Sequence, residues 1–344
     1  MDKQAMGADK WSRFFKDYFM YVVLIILVVF FSVRSQNFLT PSNLLNVVNQ
    51  SAYQIVVGVG IAFIMLSGAI DLSTGYQIST LSVIAGVLLT KTSIPYGWVI
   101  AVILVLGVLL SLVNGVLYVT FDTFPFMITL ATQYILWGIS FMISNSATFT
   151  PLPAGFKMLG QGYIGPIPIA ILIMVIIVII GAFLLNKTYF GRYVYGLGSN
   201  QTAIELAGVK TRRLKLIIFA MAGLFTALGT IMLVSRSGSS SSTMGPGMEF
   251  TIIAGCMLGG IKMGGGGGKI SSVVIGLLIL TVLSNGMQLM QLGTYPQKIA
   301  LGIVLLVAIG LDVFQSKTAL KTAKKVAGEP PAKADKKDST LSSR

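Results

Sequence analysis

Residues 169–185 read IAILIMVIIVIIGAFLL, a run that contains no charged and no hydrogen-bonding side chain. A second run of this kind, IALGIVLLVAIGL, occupies residues 299–311. Similar runs recur along the chain at the spacing of bilayer-crossing helices, which need about 20 apolar residues each. Charged residues make up only 10% of the 344 residues, against about 25% in soluble domains. The sequence therefore predicts an integral membrane protein, because such a chain cannot cover a water-soluble surface.

The apolar runs are separated by proline, glycine, asparagine or charged residues and predict about ten membrane-spanning helices in an all-α, polytopic fold. The predicted spans are 18–34, 44–67, 75–90, 97–119, 124–143, 163–185, 214–235, 247–261, 270–291 and 297–313. The third and eighth spans are short and interrupted by glycine. A count of eight, or a re-entrant segment in place of a span, therefore fits the pattern as well.

The distribution of lysine and arginine predicts which side of the membrane each loop faces. With ten spans and both termini in the cytoplasm, 20 of the 25 basic residues fall in cytoplasmic segments, as the positive-inside rule requires. The other five are Arg34, Lys91, Lys157, Arg236 and Lys298. We expect a cytoplasmic N-terminal segment 1–17 that leads into an uncleaved first span, a transmembrane domain 18–314, and a basic, disordered cytoplasmic tail 315–344.

Residue counts exclude several classes of site. Histidine is absent and Cys256 is the only cysteine, so an intrachain disulfide, a Cys/His zinc site and a Ser-His-Asp triad are ruled out. The net charge of +14 does not indicate nucleic-acid binding, since the basic residues are dispersed among apolar runs. We predict no catalytic residue, no metal site and no enzymatic activity.

A run of five glycines, Gly264 to Gly268, precedes Lys269 and superficially resembles a phosphate-binding loop. That motif requires glycine six positions before the lysine and serine or threonine after it. Met263 and Ile270 occupy those positions. The chain is therefore expected to bind no ATP or other cofactor, and the run is interpreted as a flexible cytoplasmic connector.

The cytoplasmic segment 186–213 contains a predicted short helix from Asn200 to Gly208. Asn200 is suited to cap its start and Gly208 to end it, with Glu205 in its body. A helix of this length is unstable alone in water. It must pack either on its own membrane domain or on another protein.

Polar side chains next to apolar runs form a second group of candidates. Asp71 and Glu249 are the acidic ones, and the predicted topology places Asp71 at the cytoplasmic boundary and Glu249 at the opposite one. Asp71 and Ser73 are interpreted as a cap for a helix that starts near Leu72. The amides in predicted spans, which either bond to another helix or face a watery path, include Asn114, Gln133 and Asn285.

The longest external loop runs from Ser144 to Gly162 and is rich in proline and glycine. It is either a surface for an extracytoplasmic partner or a plain connector.

Three motifs give a more specific indication. They are LSGAIDLSTG at residues 66–75, GRYVYGLGSN at 191–200 followed by Ala203, Leu206 and Ala207-Gly208-Val209, and Gly247-Met248-Glu249-Phe250 leading to Leu258-Gly259-Gly260. In this order they resemble the permeases of ABC importers of the ribose, galactose and xylose type. The resemblance covers roughly residues 20–314.

The resemblance implies a permease of the bacterial cytoplasmic membrane that carries a small polar solute, with a monosaccharide as the expected cargo. It implies that the Asn200 to Gly208 helix is a coupling helix for a separate cytoplasmic subunit that hydrolyses ATP. The residues assigned to coupling on this basis are Asn200, Ala203, Glu205, Leu206, Gly208 and Val209. A solute-binding protein outside and a second permease copy, identical or related, are the other expected partners, with transport by alternating access.

An ion-coupled secondary transporter is the alternative function, since glycine-broken helices also build the solute sites of such proteins. It would need charged groups within the membrane for coupling, and the sequence offers few.

Overall fold

The computed structural model describes the backbone of residues 20–326 and the side chains up to residue 310. Within these residues the chain folds into helices and one short hairpin, β1 (Tyr163–Ile164) and β2 (Ile167–Pro168). The helices are α1 (Met20–Arg34), α2 (Pro41–Leu66), α3 (Thr74–Lys91), α4 (Tyr96–Phe121), α5 (Pro125–Ser144), α6 (Ala154–Gln161), α7 (Ile169–Lys187), α8 (Tyr189–Ser199), α9 (Gln201–Leu206), α10 (Thr211–Ser237), α11 (Met248–Leu258), α12 (Ile270–Leu289) and α13 (Thr294–Val326). The predicted N-terminal segment 1–17 lies outside the described residues.

Six helices of the described part, α2, α4, α5, α7, α10 and α12, are long and apolar enough to cross a membrane. Helices α1 and α11 and the described apolar part of α13 are shorter. The protein is therefore a polytopic helical membrane protein. Helix α3 has 18 residues but is not among the six, because its buried face carries Gln77, Ser79, Thr80 and Ser82.

The six helices fall into a central and a peripheral set. The most apolar 18-residue windows of α2, α10 and α12 are 78%, 67% and 61% buried, whereas those of α4, α5 and α7 are 28–33% buried. The peripheral helices expose large apolar side chains such as Val105, Met142 and Ile179. Exposed apolar faces of this extent suit lipid chains rather than water.

The eighth predicted span is not one membrane-length helix. Helix α11 has 11 residues, which at 1.5 Å per residue gives about 16 Å, or half of the hydrocarbon core. A non-helical segment, 238–247, precedes it and lies against α3. The Ser79 hydroxyl donates to the Ser242 carbonyl and the Ser240 hydroxyl to the Ser82 carbonyl, both at 2.6 Å.

The loop Ser144 to Gly162 is folded rather than a plain connector. It contains α6, which packs on the end of α10: Phe156 is fully buried, and the Gly160 amide donates to the Ser235 hydroxyl at 2.7 Å. The sixth predicted span starts at Ile169 rather than at residue 163, since Gly165 and Pro166 form the turn of the β1–β2 hairpin. The strictly all-α prediction is corrected by this hairpin.

Helix α13 continues to Val326, so the helix passes the boundary that we predicted for the disordered tail at residue 315. Alanine and lysine dominate this stretch, and both favour helix. Residues 327–344 of the predicted tail lie outside the described part of the chain.

Candidate functional site

The break between α2 and α3 holds a buried polar cluster centred on Ser73, the N-cap residue of α3. The Ser73 hydroxyl donates to Asp71 Oδ1 at 2.6 Å and accepts from the amide groups of Gln77 at 2.8 Å and Asn114 at 2.7 Å. Asp71 also accepts from the Ser73 backbone amide at 2.8 Å and from Gln77 at 3.3 Å. All four residues are at most 1% exposed. Asp71 therefore holds the residue at the start of α3, which begins at Thr74, two residues after the predicted start near Leu72. The Ser73 side chain makes no cap hydrogen bond, so its predicted capping role is corrected.

The cluster has unused hydrogen-bonding capacity. Among the described residues, the amide oxygens of Gln77, Asn114 and Gln133 and the hydroxyl oxygen of Ser111 are buried without a partner. Gln133 lies on α5, which packs against α3. Buried polar atoms without a partner are rare in native proteins, so this region is a candidate for function as well as for structure.

Glu249, in the first turn of α11, is 2% exposed. Its carboxylate accepts from the Gly247 amide at 3.0 Å and lies against Gly75, where an added Cβ would overlap it. Gly245 in turn packs on the Gly75 carbonyl. The starts of α3 and α11 are thus in direct contact, and the prediction that Asp71 and Glu249 lie at opposite membrane boundaries is wrong.

Asn285 belongs to a different part of the molecule. Its amide exchanges two hydrogen bonds with Asn43 at 3.0 and 3.1 Å, which fastens α12 to the start of α2. Of the six polar candidates, the structure therefore brings Asp71, Ser73 and Asn114 together, places Gln133 and Glu249 on neighbouring elements, and separates Asn285.

A cavity of about 490 Å³ opens beside the start of α11, between α2, α12 and α13. The Thr281 hydroxyl donates to Gln54 at 3.1 Å and the Ser284 hydroxyl to Gln297 at 3.0 Å. Apolar side chains such as Phe250 complete the wall. The polar lining residues are Gln50, Gln54, Thr251, Thr281, Ser284, Thr294, Gln297 and Lys298.

Sequence reasoning missed this cavity. The usable signal was the helical spacing of Gln50 and Gln54 on one face of α2, and of Thr281 and Ser284 on one face of α12. The contact between the two faces is a feature of the tertiary structure and cannot be inferred from the order of residues.

The predicted short helix of the segment 186–213 is present as α9. The Asn200 side chain accepts from the Ala203 amide at 3.0 Å, and Gly208 ends the turn with a φ of +83°. No residue of α9 is buried, and Leu206 is 86% exposed. An exposed leucine on a helix that is too short to be stable alone is a surface in need of a partner.

Glu205 is held against its own chain. Its carboxylate accepts from Thr211 at 2.8 Å and from Gln201 at 2.9 Å. The Thr211 hydrogen bond, followed by that of Gln201, lowers the pKa of Glu205 below its ordinary value. Glu205 is therefore ionised at neutral pH and ties α9 to the start of α10.

The glycine run Gly264 to Gly268 is packed and hydrogen-bonded. The prediction of a flexible connector is therefore wrong. The Gly266 amide donates to the Leu66 carbonyl at 2.9 Å, and Tyr195 of α8 donates to the Gly268 carbonyl at 2.8 Å. A Cβ at Gly198 would overlap both the Leu66 carbonyl and the Gly266 amide. The end of α8, which leads into α9, is therefore seated directly beneath the α2–α3 break.

Comparison with known proteins settles the family. A family described as the permease component of the branched-chain amino acid transport system matches residues 43–309. The chain belongs to this permease family. Its description makes the permease one component of a larger transport system, which favours the importer prediction over a single-chain secondary transporter.

Individual relatives match the permease over nearly its whole length. The ribose import permease protein RbsC of Bacillus subtilis is 36% identical over 293 residues, which cover 84% of this chain and 90% of the relative. RbsC of Haemophilus influenzae is 32% identical over 308 residues, covering 88% and 94%. The galactose/methyl galactoside import permease protein MglC of Escherichia coli is 28% identical over 326 residues, covering 90% and 97%. No solved structure matches the permease.

The permease is accordingly a transport protein of the bacterial inner membrane.

Proposed function

We propose that this permease is the membrane-spanning subunit of an ABC importer that carries a monosaccharide. The single observation that carries the proposal is α9, a capped helix without a buried residue that is linked through Gly198 to the α2–α3 break. Such a helix is suited to receive motion from a partner and pass it into the membrane domain. The relatives named for ribose and galactose import support the same function.

The cavity beside α11 supports a sugar as cargo. Its polar lining is made of uncharged amides and hydroxyls, with Lys298 as the one charged residue in the described lining. Neutral donors and acceptors match the hydroxyl groups of a sugar. An amino acid would need a partner of opposite charge for both its ammonium and its carboxylate group, so the lining argues against the amino acids in the family's description.

We infer the orientation from the basic residues at the two ends of the helix bundle. The end with α8, α9 and the glycine run carries Lys187, Arg192, Lys210, Arg212, Arg213, Lys215, Lys262 and Lys269. The opposite end carries five, the same five residues that the sequence analysis assigned to the outside. By the positive-inside rule the α9 end is cytoplasmic. About ten spans with cytoplasmic termini, α11 being one of half length, remain the proposed topology.

The proposed mechanism is alternating access in a pair of permease copies. A solute-binding protein delivers the sugar outside, and ATP-driven closure of the cytoplasmic subunits pushes on α9. The displacement passes through Gly198 and the glycine run to the α2–α3 break, then through the contact of Gly75 with Glu249 to α11 and the cavity. The contacts of Gly198 with Leu66 and Gly266, and of Gly75 with Glu249, are direct packing contacts.

Uptake by proteoliposomes that contain the permease, the ATP-hydrolysing subunit and the binding protein tests the proposal. We expect uptake of ribose, galactose or xylose that requires ATP, survives a protonophore and is not inhibited by leucine. Gln54→Leu should reduce it several-fold, because the cavity loses a polar group, whereas Gln288→Leu replaces an exposed residue outside the cavity and should not. Uptake driven by an ion gradient without ATP would overturn the proposal.

A further inference from the structure

A second cavity, of about 610 Å³, lies at the proposed cytoplasmic end, beside α9 and between the end of α4 and the start of α10. We call it the basic recess. Its basic lining residues are Lys210, Arg212, Arg213 and Lys215, against two acidic ones, Asp122 and Glu205. The recess therefore has an excess of positive charge.

Lys215 is the most unusual of these residues, since it is only 6% exposed. Its Nζ lies 4.3 Å from the centre of the Tyr118 ring. Within the described residues it donates no hydrogen bond and forms no ion pair. A buried ammonium without a hydrogen-bonded anion is costly, and a cation–π contact offsets only a part of that cost.

The start of α10 adds to the positive potential. Lys210 is the N-cap residue and provides no side-chain cap, and the first turn contains no acidic residue. The unpaired amides and the dipole at the start of this 27-residue helix favour an anion there. Glu205 interacts with Lys215 only by coulombic attraction through space, because its carboxylate takes its hydrogen bonds from Thr211 and Gln201.

We propose that the basic recess receives an acidic side chain of the ATP-hydrolysing subunit, whose carboxylate pairs with Lys215 when α9 docks. This inference rests on the proposed function. Two lining residues, Gln201 and Glu205, belong to α9 itself, so an occupant of the recess is in the same interface as the coupling helix. The volume admits a loop that carries the carboxylate, and the excess charge selects an acidic one.

The recess thus gives the docking interface two parts with different chemistry. Leu206 of α9 offers an apolar contact, and Lys215 offers a charged contact from which water is largely excluded. The charged contact makes docking selective, since a partner that lacks the acid leaves the Lys215 ammonium buried and unpaired.

The test is the dissociation constant between the ATP-hydrolysing subunit and the full-length permease in nanodiscs, at low and high salt. Lys215→Met keeps the side-chain length and the packing on Tyr118 but removes the charge. We expect it to weaken binding roughly thirtyfold and to reduce the salt dependence. Lys269→Met, at an exposed cation of the same end outside the recess, should bind like the wild type, and Lys215→Arg should retain most of the affinity.

Two results would overturn the inference. One is wild-type affinity of a folded Lys215→Met permease at both salt concentrations. The other is an effect that appears only in nanodiscs of anionic lipid and not in zwitterionic ones, which would assign the recess to a lipid headgroup. If the Lys215→Met permease does not fold, the charge is reversed instead: Lys215→Glu is combined with partner variants in which an acidic residue is replaced by lysine. Failure of all these combinations to restore binding counts against the inference. A wild-type permease that binds no ATP-hydrolysing subunit would instead reject the proposed function.

Discussion

At the scale of single residues, two buried carboxylates define how the membrane domain is held together. Asp71 is satisfied by Ser73 and Gln77, and Glu249 by the Gly247 amide. Neither has a basic partner in the described part of the chain, so each depends on hydrogen bonds supplied at a helix start. The absence of a side chain at Gly75 lets these two helix starts touch.

Gly75→Ala should destabilise the protein by about 1–3 kcal/mol, because the added methyl group displaces the Glu249 carboxylate from the Gly247 amide. The measurement is the thermal unfolding midpoint in detergent. Gly138→Ala is the matched control: this glycine is also helical and has open space around it, so alanine should be neutral or stabilising. Equal midpoints for the two variants would contradict the proposed packing.

The sequence identified both acidic residues as candidates but could not give their surroundings. An ionisable side chain next to an apolar run is recognisable from residue order alone. The contact between Gly75 and Glu249 joins segments that are far apart in the chain, and no local pattern encodes it.

At the scale of elements, the apolar runs located the helices, α3 included, but did not show which of them are long and apolar enough to cross the membrane. Helix α3 and the segment 238–247 satisfy each other's polar groups, for example through Ser79 and Ser82, so their low hydropathy is not a sign of exposure. The helix α9 was predictable because its cap, Asn200, and its end, Gly208, are local signals.

The prediction that the glycine run is a flexible connector is wrong because composition alone does not show packing. Its composition signals freedom, but its bonds to α2 and α8 are tertiary.

Gly198→Ala should uncouple α9 from the membrane domain, because a Cβ at this position overlaps the Leu66 carbonyl and the Gly266 amide. We expect ATP-dependent uptake to fall at least about tenfold, which corresponds to a loss of about 1.4 kcal/mol in the coupled step. Gly264→Ala in the glycine run has open space around it and should transport normally. Normal transport by Gly198→Ala would reject the route through this contact.

At the scale of the whole molecule, the two ends of the helix bundle have different chemistry. The α9 end combines an exposed leucine, a buried lysine without a hydrogen bond and eight of the thirteen basic residues in 20–310. The opposite end carries α6 and the hairpin. The cavity beside α11 draws its polar groups from α2, α11, α12 and α13. A site assembled from four helices in this way forms only when the helices pack together. The sequence could predict the class of protein but not this lining.

The most direct test of the account is whether α9 recruits an ATP-hydrolysing subunit. The tagged permease, purified in mild detergent from its own membrane, should bring this subunit with it. Leu206→Asp should abolish the association, while Ile164→Asp, which changes an equally apolar and 62% exposed residue at the opposite end, should preserve it. A well-folded wild type that brings no such subunit, or a Leu206→Asp variant that retains it, would contradict the central claim.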